Sequence, residues 1–202
     1  HGEIWFLNSC SLQPEKEEDL LSELQGFPWR VCGVAETWRA EAEEEYETES
    51  GHLFIGSGGV SGQRGVACLV HMHWKERVVS WKAISDRLLR VDFRFGDVRL
   101  RLLVVYMPTQ AQSLDEVVDL YRQMGLELAA ARRSGWEVVI IGDFNAVVGT
   151  RQSEEEQDWH GGFSLNQRRN DRGILMASWA EAQDLRIWNT FFEKDEKQMA
   201  TH

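Results

Sequence analysis

Basic charge is scarce in this sequence. Its 202 residues hold 22 Lys and Arg against 33 Asp and Glu, a formal net charge of −11. That balance argues against a protein that grips nucleic acid by a basic surface of its own. Long apolar runs are absent too: none approaches the ~18 residues of a membrane-spanning helix, and no signal peptide is visible. Cysteine is rare. Cys10, Cys32 and Cys68 are odd in number, widely spaced and set in apolar runs. This excludes zinc-ligand spacing and predicts reduced, buried thiols of a protein inside the cell, the nucleus included. The first residue is His1 rather than Met, so an excised piece is expected. There is no internal repeat, low-complexity tract or linker, which predicts one domain over residues 1–202.

What is present is core material: a hydrophobic fraction of 43% and nine tryptophans. The chain opens strand, helix, strand. "IWFLNSCSL" is strand-like, and "PEKEEDLLSELQG" is a helix with Pro14 in its first turn and Gly26 past its end. "RVCGVAETW" is a short apolar strand ending in Glu36. In "LLRVDFRF", Leu89, Val91, Phe93 and Phe95 share one face while Arg90, Asp92 and Arg94 take the other. Gly96-Asp97 fits a hairpin turn into "VRLRLLVVY", with Arg99 and Arg101 outward. Ser113 and Glu116 form a capping box that opens a helix over 113–133, with Leu114, Val117, Val118, Tyr121, Met124 and Leu128 inward. "VVII" at 138–141 predicts a strand buried on both faces. A helix follows over about 171–182 with Ile174, Leu175 and Trp179 inward, and "LRIWNTFF" predicts one more strand. Hairpins mixed with strand-helix-strand units predict two packed sheets flanked by helices.

Three of these strands end on polar groups. "CGVAETW" delivers Glu36, "LLVVYMP" delivers Tyr106, and "VVIIGDFN" delivers Asp143 and Asn145; Asn8 lies in "FLNSC". Polar groups at the tip of an apolar strand are costly unless something needs them. If the strands are neighbours, two carboxylates, two amides and a phenol converge at one edge. Such all-oxygen ligation suits a hard cation, Mg²⁺ or Mn²⁺, rather than zinc. The period of a strand sends Asp143 and Asn145 to the same side and Phe144 to the other.

The order Asn8, "ETW", "VYMP", "GDFNA" resembles the endonuclease/exonuclease/phosphatase superfamily of metal-dependent phosphodiesterases. Within it, "ETW", "GDFNA", "RRNDRG" and "WNTFF" are most similar to endonuclease domains of non-LTR retrotransposons and their craniofacial-development-protein-like relatives. The resemblance runs over nearly the whole chain. It implies an α/β fold, a four-layer sandwich with its site at one end of two mixed sheets. It further implies that Glu36 is the principal Mg²⁺ ligand with Asn8 beside it. Asp143 would orient and deprotonate the attacking water, Asn145 would help position that water or the phosphate, and Tyr106 would donate to a phosphate oxygen. The implied substrate is DNA.

The same family pattern carries a later Asp and a C-terminal Ser-Asp-His. This sequence stops at "EKDEKQMATH", which predicts a domain lacking its C-terminal strands and little activity. His202 comes too early in the topology to substitute. His71 and His73 alternate on "CLVHMHW" and read as a solvated edge, and His160 has no assigned role. The acidic runs at 41–49 and 153–158 read as solvated loops leaving the catalytic end, opposed by Arg64, Lys75, Arg168, Arg169 and Arg172. The expected function is a Mg²⁺-dependent DNA endonuclease of a retrotransposon-like protein. The alternatives are a catalytically dead remnant serving as a scaffold or binding domain, and another superfamily hydrolase, a deadenylase or phosphoinositide phosphatase.

Overall fold

The structure, a computed structural model, describes residues 3–59, 64–164 and 166–193. The chain divides into two compact units, His1–Phe144 and Asn145–His202.

The first unit contains both sheets. Five strands, β1 (Ile4–Asn8), β2 (Val31–Ala35), β3 (Glu44–Glu47), β4 (Leu53–Ser57) and β5 (Val66–Val70), form one sheet in the order β1-β2-β5-β4-β3. Four more, β6 (Val78–Ser85), β7 (Leu88–Phe95), β8 (Val98–Tyr106) and β9 (Glu137–Asp143), form the other in that order. Both sheets are mixed, because β1–β2 and β8–β9 pair parallel and the remaining pairs are antiparallel. Parallel neighbours need a crossover, and the helices supply it. Helix α1 (Pro14–Leu24) links β1 to β2, and α2 (Leu114–Arg133) links β8 to β9.

Alternation along the strands explains the layers. Val31, Ile55, Cys68 and Val70 of the first sheet meet Leu89, Val91, Phe93, Leu102 and Val104 of the second in a shared core. The outer face of the first sheet packs Cys32, Val34, Phe54 and Leu69 under Leu21 and Leu24 of α1. The sheets approach closely at Gly33, where an added Cβ would meet Ile141 at 2.6 Å and Val104 at 3.1 Å. This is the four-layer α/β sandwich expected. Ser113 caps α2 as expected, its hydroxyl accepting from Glu116 N–H at 3.3 Å.

Several local expectations are corrected. Strand β9 is half-buried rather than buried on both faces, because it ends its sheet and only Val139 and Ile141 reach the core. The outward Asp92 and Arg101 are covered: both are buried, Arg101 donating to Asp92 and to Glu127 of α2. On α2, Leu114 and Val118 are exposed, while Leu120 and Ala131 join the buried face. Cys10 is exposed in a left-handed bend past β1; Cys32 and Cys68 are buried thiols.

The second unit is built on α3 (Asp171–Ala182), capped by Asn170, whose side chain accepts from Gly173 N–H at 2.7 Å. Its inward face is Gly173, Ala177 and Ala180, and Ile174 is exposed. The small residues win because Gly173 lies against the Val147 carbonyl, leaving no room for a side chain. The "LRIWNTFF" strand does not form. Ile187 makes a single bridge with His160, and Trp188–Thr190 is a 3-10 turn held by Thr190 Oγ1 donating to the Ile187 carbonyl at 2.6 Å.

Candidate active site

Parallel pairing sets the carboxyl ends of β1 and β2 side by side, and likewise those of β8 and β9. Asn8 ends β1, Glu36 follows β2, Tyr106 ends β8 and Asp143 ends β9. Asn8 joins the two sheets: its Nδ2 donates to Glu36 Oε1 at 2.7 Å and to Asp143 Oδ2 at 3.3 Å. The Tyr106 hydroxyl lies near enough to Glu36 to feel its carboxylate, and Met107 N–H donates to the Asp143 carbonyl at 2.8 Å. Burial and then the Glu36 carboxylate push the Tyr106 phenol up to about 12, against an opposing pull from Arg87. The phenol therefore stays a donor at neutral pH. Asn145 opens the second unit, with φ at 47°.

The backbone here is locally strained. Glu36 (φ 55°), Trp38 (φ 56°) and Cys10 (φ 46°) occupy the left-handed region that side chains disfavour. Hydrogen bonds hold them there: Ser11 N–H donates to the Glu36 carbonyl at 2.8 Å, Leu12 N–H to Thr37 at 3.0 Å, and Trp38 N–H to Arg64 at 2.8 Å. The bend turns the chain directly past β2. Gly142 explains the residue before Asp143, since a Cβ there would overlap the Val105 carbonyl of the neighbouring strand.

One residue carried no signal in the sequence. Arg87, only 5% exposed, lies with its guanidinium carbon 4.9 Å from the Tyr106 ring centroid. Its Nη1 donates to the Tyr106 carbonyl at 3.2 Å.

Three of the five basic residues are held in ion pairs. Arg64 pairs with Asp86 and Glu116, Lys75 with Glu47, and Arg169 with Glu156. The acidic runs are partly structured: Glu44–Glu47 is strand β3, and Glu154–Asp158 is a 3-10 turn. His160 is fully buried, its Nε2 3.0 Å from the Gly149 carbonyl.

His71 and His73 are not strand residues, because β5 stops at Val70. With His52 they gather at the opposite end of the first sheet, ring centroids 4.8–5.0 Å apart, His52 and His71 both against Trp29. Burial lowers His71 to about 4, with His52, His73 and Arg30 adding; burial lowers His52 as well, opposed by Glu18. An unfolded histidine titrates near 6.5, so between that value and 4 the unfolded chain binds more protons. Stability should therefore fall as pH drops through this window. The urea midpoint is expected to decline from pH 7 to 5, and His71→Phe to flatten the decline; a midpoint unchanged in wild type would contradict it.

A four-layer sandwich with carboxylates, an amide and a phenol gathered at its strand ends is the fold of the sandwich nucleases and phosphatases. The model of the endonuclease/exonuclease/phosphatase family matches residues 7–179, and the chain belongs to that family. Its members are hydrolytic nucleases and phosphatases. Among solved structures it is similar to an AP endonuclease from Leishmania major, at 10% identity and a TM-score of 0.57, covering 89% of this chain and 65% of that one. It is also similar to the endonuclease domain of TRAS1, a telomere-specific non-LTR retrotransposon, at 14% identity, a TM-score of 0.52, and coverage of 88% and 69%. A 3′ phosphatase from Neisseria bound to product DNA hairpin gives 14% identity, a TM-score of 0.52, and coverage of 89% and 68%. These likenesses show the fold. The chain thus spans about two-thirds of these proteins' lengths. No curated protein matches it. Among the described residues no helix is long and apolar enough to cross a membrane.

Proposed function

We propose that this chain is the body of a Mg²⁺-dependent phosphodiesterase that cleaves DNA by attack of water, an endonuclease domain of a retrotransposon-like protein. The observation that carries it is the Asn8 amide nitrogen set between Glu36 and Asp143, with Tyr106 at the neighbouring strand end. The hydrogens of that amide are the positive end of a dipole, and they occupy the place where two carboxylates would most favour a cation. The donors fit Mg²⁺ or Mn²⁺, which take oxygen ligands and are commonly held by one or two carboxylates plus waters. Among the described residues no group of three or more His, Cys, Asp or Glu could hold an ion, so waters and phosphate oxygens would complete the shell.

Glu36, with Asn8 beside it, would hold the ion. When bound, the ion supplies positive charge beside the phosphoryl oxygens. Asp143 orients a water and accepts its proton as the water oxygen bonds to phosphorus and the opposite P–O bond breaks. Tyr106, kept protonated, donates to a phosphate oxygen as charge builds there. Asn145, two residues past Asp143, helps position water or phosphate by the family motif. The DNA-bound phosphatase and the retrotransposon endonuclease among the similar structures support the choice of substrate and setting.

The test is nicking of supercoiled plasmid by this chain with Mg²⁺, Mn²⁺ or EDTA, beside melting curves in each. Slow nicking that needs the metal, and a metal-dependent rise in melting temperature lost in Glu36→Gln, are the expected results. A melting rise without nicking would favour a binding domain. Neither response in either metal would remove the reading. Hydrolysis of a 3′-phosphorylated oligonucleotide or a phosphoinositide instead would reassign the substrate.

A further inference from the structure

We propose that Arg87 is a positioning residue for Tyr106: its buried guanidinium, set over the ring and bonded to the backbone, holds the phenol in place at the carboxylate site. The inference rests on reading the cluster as the hydrolytic site.

Arg87 engages Tyr106 in three ways. Tyr106 N–H donates to the Arg87 carbonyl at 3.0 Å, Arg87 Nη1 returns a bond to the Tyr106 carbonyl at 3.2 Å, and the guanidinium covers the ring. Backbone and ring of one residue are thus held by a single side chain, which restricts how the ring can turn. The cost of this arrangement is informative. Among the described residues Arg87 has no carboxylate within ion-pair distance, and its Nε is buried without an acceptor. Asp86, the nearest of its charged neighbours in sequence, pairs with Arg64 instead. A buried charge without a partner is strongly unfavourable. A leucine or methionine would fill the space at lower cost if packing were the only need. The charge becomes useful against the electron-rich face of the Tyr106 ring, where it holds the phenol in place. Lysine could restore the charge but not the flat stack on the ring.

The chain has three tyrosines, Tyr46, Tyr106 and Tyr121, so a protein grown with 3-fluorotyrosine gives a ¹⁹F spectrum in which Tyr106→Phe identifies the Tyr106 line. Arg87→Gln is expected to broaden or split that line while leaving the other two in place. Arg87→Lys should show the same loss of order, and it carries the comparison if Arg87→Gln does not fold. In the plasmid assay Arg87→Gln should lower kcat roughly tenfold with KM little changed. The double variant with Tyr106→Phe should be no slower than Tyr106→Phe alone. A sharp, unmoved Tyr106 line in folded Arg87→Gln, or losses that multiply in the double variant, would overturn the assignment. If wild type does not nick at all, the hydrolytic reading fails on its own account, and the ¹⁹F comparison still decides whether Arg87 orders Tyr106.

Discussion

Asp143→Asn should reduce the nicking rate by roughly 10²–10⁴-fold, the usual worth of a positioned general base. The substitution exchanges one oxygen for nitrogen and keeps the shape of the side chain at the end of β9. Gly142 still passes the Val105 carbonyl, and the Asp143 carbonyl still accepts from Met107 N–H. Folding should therefore be little changed, and so should the binding of substrate. What is lost is the acceptor for the proton of the attacking water, which matters only as the new bond forms, so kcat should carry the loss while KM stays near its wild-type value. The melting temperature serves as the control. Wild-type rates from Asp143→Asn would remove the general-base role and leave the carboxylate, if anything, as a holder of the ion.

The frame of the fold was legible because several local signals agreed. Pro14 at the start of α1, the Ser113 capping box and the Gly96 turn (φ 62°) each fixed an element boundary, and period-2 alternation fixed the faces of β7 and β8. Misreadings occurred where tertiary packing chose between equal local options. On α2 the apolar residues surround more than one stripe, so periodicity alone could not exclude Leu114 and Val118 from the core. On α3 bulk suggested Ile174, yet Gly173 is what fits against Val147. "WNTFF" has strand-forming residues but lacks a strand partner among the described residues. Its Thr190 bonds its own turn instead, and β-propensity counts only when a neighbouring strand is present.

Of the candidate site, the positions of Asn8, Glu36, Tyr106 and Asp143 could be read from motifs at strand ends, and the structure gathers these four in the first unit. The bridging amide could not be read, since it depends on how two sheets face each other. Arg87 was equally hidden. In "SDRLLR" nothing separates it from Arg90, and only the return of β8 beside β7 lays Tyr106 against it. The charges on β7 and β8 were placed on the right face, yet that face is a covered one.

That covered face carries the second large expectation: Asp92→Ala should destabilise the fold by roughly 3–5 kcal/mol, the range for breaking a buried ion pair by removing one partner. Asp92 is 2% exposed and holds Arg101 through two bonds, Nε to Oδ1 at 2.8 Å and Nη2 to Oδ2 at 3.1 Å. Ser80 Oγ donates to the same carboxylate at 2.9 Å. Arg101 also reaches Glu127 on α2 at 3.0 Å, and Arg90 joins Glu127 at 3.2 Å. Two arginines and two carboxylates thus balance in charge while linking β6, β7, β8 and α2. Removing Asp92 leaves two guanidinium groups facing one carboxylate in a mostly buried network. The cost comes from that stranded charge more than from the lost bonds, which gives the prediction its check. Asp92→Leu combined with Arg101→Met removes both charges and fills similar volume, so it should recover most of the loss. Urea denaturation of the three proteins measures this directly. A loss below about 1 kcal/mol in Asp92→Ala would mean that water reaches the network and pairs Arg101 in place of Asp92, as happens at exposed ion pairs.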